Sequence, residues 1–313
     1  MTNSNSAMTL AQYHGWDNTI VGPHVGIEIE VEGTNLPTDM ARTGWSIHRD
    51  GSLRGESAEY VFTRPLQPDR AVKVLDKFRD KIAQATELSM SYRTSVHVHV
   101  NVRDMSFNHI YNMILLYTLY EDMFGRMAGD HRIGNLFCLR MKDAKGYMDT
   151  LRRAAQRNNF NNLGSANLRY SACNPVSMFN HGTLEFRAMR GTTDVDVIKP
   201  WMFLLLQLRE AAQSFHNPTA LVDTLNSMSA VDFTYRVFNS HPFPYDDEFM
   251  QSFAEHVPML EFVASATQWQ AGDGLSSTEP TLNVQPPRPG DVVHWTNDPV
   301  LVNVRRMPIN EVD

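Results

Sequence analysis

Three short segments alternate apolar and polar residues with period two, and their polar sides constrain this chain more than any other feature. In "VGIEIEVEG", Val25, Ile27, Ile29 and Val31 fall on one side, and Gly26, Glu28, Glu30 and Glu32 on the other. In "SVHVHVNV", Val96, Val98, Val100 and Val102 oppose Ser95, His97, His99 and Asn101. In "GTLEFRAM", Leu184, Phe186 and Ala188 alternate with Thr183, Glu185 and Arg187. Period two is the signature of strands with one buried face. A solvated face carries mixed Lys, Thr, Ser and Glu. These faces carry Glu-x-Glu, His-x-His and Glu-x-Arg. Placed in one sheet, they bring carboxylates, imidazoles and a guanidinium into one concavity.

Taken singly, each pattern has a plain structural explanation. Two glutamates two apart repel each other unless a cation or an arginine offsets the charge, yet they also occur on solvated edges. His-x-His on a valine strand places two rings on one side, and imidazole is a common metal ligand. Glu-x-Arg fits an ordinary cross-strand ion pair. Two loops add candidates. "HRDGSL" places Asp50 in a turn, which alone reads as a hairpin connection, and Glu59 follows in the short strand "AEYVFTRPL". "NLRYSACNP" supplies Arg169 and Asn174, and an arginine there is either surface or a bidentate phosphate clamp.

Helices are expected over Asp69 to Leu88, Phe107 to Met127 and Val197 to Phe215, with a weaker one over Ala144 to Arg157. In the third, Pro200 is expected in the first turn, where proline is tolerated. Residues 1 to 20 read as a loose N-terminal arm, and the catalytic unit as residues 21 to 265. A Gly-, Ser- and Pro-rich linker and tail follow over 266 to 313, with irregular chain expected over Ala271 to Gly290. The tail reads as disordered, or as extended chain that packs back on the molecule or on a neighbour. No internal repeat is visible.

The chain has 313 residues, 28 Lys+Arg against 35 Asp+Glu, and a formal net charge of -7. This balance points away from a broad nucleic-acid surface. Cys138 and Cys173 are the two cysteines, which argues against a disulfide scaffold and for a reducing cytosol. The start of the chain lacks a basic, apolar signal segment, and the apolar run Trp201 to Leu206 is far shorter than the roughly 20 residues of a spanning helix. A cytoplasmic protein with no membrane partner is expected. The phosphate-binding Walker motif is absent.

The order of these motifs resembles the amidoligase family of bacteria and their phages. It runs Gly-x-Glu-x-Glu, Asp-Gly-Ser, Glu before a proline, Ser-x-His-x-His-Val, Arg-Tyr-x-x-x-Asn and Gly-Thr-x-Glu-Phe-Arg, from about Val25 to about Ala212. The segment "HRIGNLFC" also resembles the family's Arg-x-x-Asn-x-x-Cys stretch. The resemblance implies ATP-dependent carboxylate–amine ligation. It also implies an α+β, glutamine-synthetase-like fold: a curved antiparallel half-barrel sheet with helices on its convex face. It implies ATP and Mg²⁺ or Mn²⁺ as cofactors. Glu28 and Glu30 then hold divalent metals, Glu59 joining Glu30, and His97 and Glu185 joining Glu28. His99 faces the ATP phosphates, and Arg169 and Arg187 hold the transferred phosphoryl group. Asn174 supports a ligand or contacts substrate, and Asp50 positions the amine. One departure is Phe62, just beyond Glu59, where the family has a small polar residue; a reshaped local pocket is expected there. The implied partners are small-molecule or peptide carboxylate and amine substrates. Relatives of this fold often form rings or dimers, so a homo-oligomer is among the expectations. Three alternatives stay open: a guanidino or amino kinase on the same fold, a non-catalytic nucleotide- or metal-binding scaffold, and a metal-dependent hydrolase that uses His-x-His.

Overall fold

The computed structural model describes residues 5–17, 19–144 and 146–266. Seven strands form one antiparallel sheet: β1 (Val25–Thr34), β2 (Trp45–His48), β3 (Ser57–Phe62), β4 (Thr86–Ser89), β5 (Val96–Asn101), β6 (Cys173–Asn174) and β7 (Thr183–Phe186). The order is β2-β3-β1-β5-β7-β6, with β4 pairing only the far end of β1. The three alternating segments are thus direct neighbours, β1 beside β5 and β5 beside β7. The third is shorter than the alternation suggests, because the regular ladder stops at Phe186.

The valine-rich side of the sheet is the core. Val25, Ile27, Ile29, Val31, Val96, Val98, Val100, Leu184 and Phe186 are fully buried. Helices α2 (Pro68–Ile82), α3 (Phe107–Leu119) and α7 (Val195–Gln213) pack together, and α7 reaches β5. The mixed α+β class is as expected. Phe62 also belongs to this side. It is buried with its ring 4.5 Å from Trp45, so it does not shape the pocket as the sequence led us to expect.

Several expected boundaries are corrected. The helix expected to reach Leu88 ends at Ile82, and the chain turns into β4, which pairs with β1 instead. The long apolar helix breaks at Tyr120 (φ −104°, ψ 11°) into α3 and α4 (Glu121–Ala128), so one periodic pattern covers two elements. Because α7 begins at Val195, Pro200 falls in the second turn, not the first. The weaker helix forms as α5 (Tyr147–Gln156).

The N-terminal arm is not loose over its described residues. Helix α1 (Leu10–His14) carries a reciprocal Thr9–Gln12 capping box, and Leu10 and Ala11 are buried. The Leu10 amide donates to Met105 O. Five residues are too few to show periodicity, so only the cap was available as a signal. After α7, helices α8 (Pro218–Asn226), α9 (Ala230–Phe238) and α10 (Asp247–Ala264) close over α3, α5 and α7. The expected linker and tail lie outside the described residues beyond 266. Among the described residues no helix is long and apolar enough to cross a membrane.

Candidate active site

The opposite, polar face of the sheet carries the site, and strand register assembles it. Glu28 lies across from His97, Glu30 from Glu59, and Glu185 from both His99 and Asn174. Residues scattered from 28 to 185 therefore meet because five neighbouring strands are in a fixed register. A slip of one residue would turn this whole set into the core.

Two donor sets result. In one, ligand atoms of Glu28, His99 and Glu185 all lie within 4.8 Å of one another. In the other, Glu30, Asp50 and Glu59 do so. The sets differ from the expected ones in two members. His99 stands where the resemblance places His97, and Asp50, assigned to the amine, lies beside Glu30 and Glu59. His97 stays close to the first set: its Nδ1 donates to Glu28 Oε2 at 3.0 Å and lies 3.5 Å from Glu185 Oε1. Its Nε2 is 2.7 Å from the Ser95 hydroxyl, which donates to Glu30 Oε2 at 2.5 Å. Ser95 and His97 thus bridge the two sets. His99 Nε2 is 3.2 Å from Glu28 Oε1, and its Nδ1 is 3.0 Å from the Thr183 hydroxyl.

Electrostatics separate the carboxylates. Burial alone would raise Glu28, but hydrogen bonds from His97 and His99 hold it far below the usual range. Burial likewise opposes Glu185, yet His99, Arg187 and His97 bring it down to about 2. Among the described residues Glu59 has no such partner. Burial, and then the charges of Glu28, Glu30, Asp50 and Glu185, push it up to about 7. Arg187 donates from Nη1 to Glu185 Oε1, and from Nε to Phe137 O at 3.1 Å. Asn174 and Ser177 both donate to Glu185 Oε2, at 2.6 and 2.9 Å. Asn174 therefore holds a carboxylate in place.

These side chains line a cavity of about 490 Å³. Its walls include Glu28, Asp50, Glu59, His97, His99, Arg169, Asn174, Glu185 and Arg187. Glu30 lies beneath it, 3% exposed. Every expected site residue is therefore at this cavity or directly under it. Ser177, Asn180 and His181 also line it and were not singled out from the sequence. All three sit in α6 (Ser177–His181), and no short-range pattern marks them. A larger hollow of about 950 Å³ lies along β2 and α2. Among its charged residues only Asp39 is acidic, beside Arg42, Arg64 and Lys77, and no donor set converges there.

Arg132 was named in the sequence only as part of a resembling stretch. It is buried and donates to four main-chain carbonyls, those of Tyr92, Thr94, Arg187 and Ala188. Asn135 adds a bond to Tyr92 O at 2.8 Å, and Cys138 closes the loop on Arg132 O. The Arg-x-x-Asn-x-x-Cys stretch is thus a clip that joins the turn entering β5 to the chain leaving β7.

The polar side of an antiparallel sheet thus gathers two acidic donor sets, with Arg169 and Arg187 lining the same cavity. Residues 38–209 match the family model described as "Putative amidoligase enzyme", and the chain belongs to that family. The matched segment holds Asp50, Glu59, His97, His99, Arg169, Asn174, Glu185 and Arg187; Glu28 and Glu30 lie just ahead of it. No curated protein matches the chain.

Proposed function

We propose that the protein is an ATP-dependent carboxylate–amine ligase that works through an acyl phosphate on a glutamine-synthetase-like half-barrel. The observation that carries this reading is the pairing of two donor sets on adjacent strand positions with Arg169 and Arg187 in one cavity. A carboxylate is a poor electrophile at neutral pH, so joining it to an amine requires activation. Transfer of the ATP γ-phosphoryl group to a carboxylate oxygen forms the acyl phosphate and releases ADP. The amine nitrogen then attacks the acyl carbon, the C–O bond to phosphate breaks, and amide, inorganic phosphate and a proton leave.

The residues fit divalent cations of the Mg²⁺ or Mn²⁺ kind. Each set consists of hard carboxylate oxygens, one with an added imidazole, and all of their members but Asp50 are mounted on strands. Four carboxylates crowd around Glu59, and among the described residues no cationic side chain pairs with it, which is charge that a cation would offset. Glu28, Glu185 and His99 would hold one ion, with His97 supporting Glu28. Glu30 and Glu59 would hold the other. Such ions would supply positive charge to offset that of a phosphoryl group in transfer.

The chain's own groups do the remainder. Arg187, fixed by Glu185 and by Phe137 O, presents its guanidinium to the transferring phosphoryl oxygens, and Arg169 lines the same cavity. Asp50 comes from a loop rather than a strand, and its carboxylate attracts the incoming ammonium. Asn174 and Ser177 keep Glu185 oriented. The cytoplasm is the matching compartment for an enzyme drawing on ATP.

The test is ATP-dependent turnover with pools of amino acids, polyamines and peptides, in the wild-type chain and in Glu28→Ala and Glu185→Ala. Turnover in the wild type alone, with all three chains folded, supports the reading. Full activity in both variants contradicts it. ADP release with a phosphorylated product and no free phosphate would make the protein a kinase.

A further inference from the structure

Nine large hydrophobic side chains are exposed among the described residues, and six of them belong to three segments, 88–92, 133–136 and 170. They are Leu88, Met90, Tyr92, Ile133, Leu136 and Tyr170, with Leu136 the most exposed at 75%. The segments are tied together. Arg132 and Asn135 donate to Tyr92 O, and the Phe137 and Tyr170 rings lie 6.5 Å apart. Two arginines run through the group. The Arg93 guanidinium lies 5.0 Å from the Tyr92 ring centre and 6.0 Å from that of Phe137. Arg169 lies 5.9 Å from that of Tyr170.

This rim is continuous with the site. Arg169 lines the cavity, Phe137 O receives Arg187 Nε, and Arg93 donates to Ser52 O, two residues from Asp50. Scattered exposed hydrophobics need no explanation, but a cluster at the mouth of a site marks a surface that something covers. Among the described residues neither Arg93 nor Arg169 forms an ion pair with a carboxylate. Their charge and the apolar rings therefore call for an occupant that is both acidic and apolar. A single amino acid would enter the cavity and leave this rim untouched.

We infer that the rim docks an acidic peptide segment carrying aliphatic or aromatic residues, and that the carboxylate to be ligated belongs to that segment. The inference rests on the ligase reading for its reacting group. Arg93 draws the flanking carboxylates, and the rings and Leu136 cover the apolar side chains.

The experiment uses the full chain and a fluorescent octapeptide alternating glutamate with tyrosine and leucine. Its counterpart has lysine at each glutamate, and free glutamate serves as competitor. The acidic peptide should bind at least tenfold tighter than the lysine peptide and resist displacement by free glutamate. Arg93→Glu and Leu136→Asp should each weaken it at least tenfold while leaving Mg–ATP affinity unchanged. A photoreactive benzoylphenylalanine at position 136 should cross-link to the peptide. Equal binding of the two peptides, or binding untouched by both variants, would overturn the inference. So would cross-linking of position 136 to a second copy, or to residues 267–313 of its own chain. Peptide binding that meets these criteria in a chain that fails to bind Mg–ATP would strike the ligase reading and leave the docking surface standing.

Discussion

Arg132 Nη2 donates to the main-chain carbonyl of Arg187 at 2.8 Å, so one buried guanidinium fixes the backbone from which another reaches the site. The ladder between β5 and β7 ends just before this point, and Arg132 supplies bonds there that a strand would otherwise supply. Replacing it with methionine leaves the carbonyls of Arg187 and Ala188 without this donor. At about 1–3 kcal/mol for each unsatisfied group, Arg132→Met should lower unfolding free energy by about 3 kcal/mol. Urea denaturation reads this, and a loss within 0.5 kcal/mol would show that the clip is dispensable.

Arg187→Lys keeps a positive charge but loses the planar fork that spans Glu185 and Phe137 O. Loss of one oriented donor at a developing anion costs roughly 10²- to 10³-fold in turnover. ATP-dependent turnover should fall by that factor while Mg–ATP affinity stays within threefold. A drop in affinity of the same size as the drop in rate would assign Arg187 to ground-state binding instead.

The two donor sets predict two divalent sites per chain. Titration with Mn²⁺ should give two sites in the wild type and one in Glu28→Gln. It should also give one in Glu59→Gln, with the surviving site differing between the variants. A single site in the wild type, lost in both variants, would mean that the carboxylates act as one centre.

These donor sets also show what was legible in the sequence. The alternation of Glu28 and Glu30, of His97 and His99, and of Glu185 and Arg187 placed each pair on one strand face, because side-chain direction in a strand has a fixed period. Which residue meets which was not legible. It depends on register: His99 lies across from Glu185 while His97 lies across from Glu28, and both rings reach Glu28. Asp50 looked like a plain turn residue, and only the return of the β2–β3 loop over the sheet puts it near Glu30 and Glu59. The helix break at Tyr120 was hidden because α3 and α4 both bury apolar residues across it. The short α1 was hidden because a single capped turn carries no period.

That same break places Glu121 in the interior at the start of α4, where its carboxylate accepts the Met141 and Lys142 amides. Burial outweighs those bonds and pushes its pKa up to about 8, so the folded chain binds a proton that the unfolded chain releases near pH 4.5. Its contribution is complete below pH 4.5 and is lost as pH rises through about 8. Across that window wild-type stability should fall relative to Glu121→Gln by up to about 1.4 kcal/mol per pH unit. Denaturation curves from pH 5 to 8 test this, and parallel pH profiles for the two chains would contradict it.

The central claim is that the carboxylate is activated as an acyl phosphate. The most direct measurement supplies carboxylate substrates labelled with ¹⁸O, unlabelled amines and Mg–ATP, and follows the label by mass spectrometry. One ¹⁸O should appear in each inorganic phosphate released, with the amide retaining the other. Label in AMP would mean an acyl adenylate, and unlabelled phosphate would mean that ATP is hydrolysed without activating the acid; either result contradicts the account.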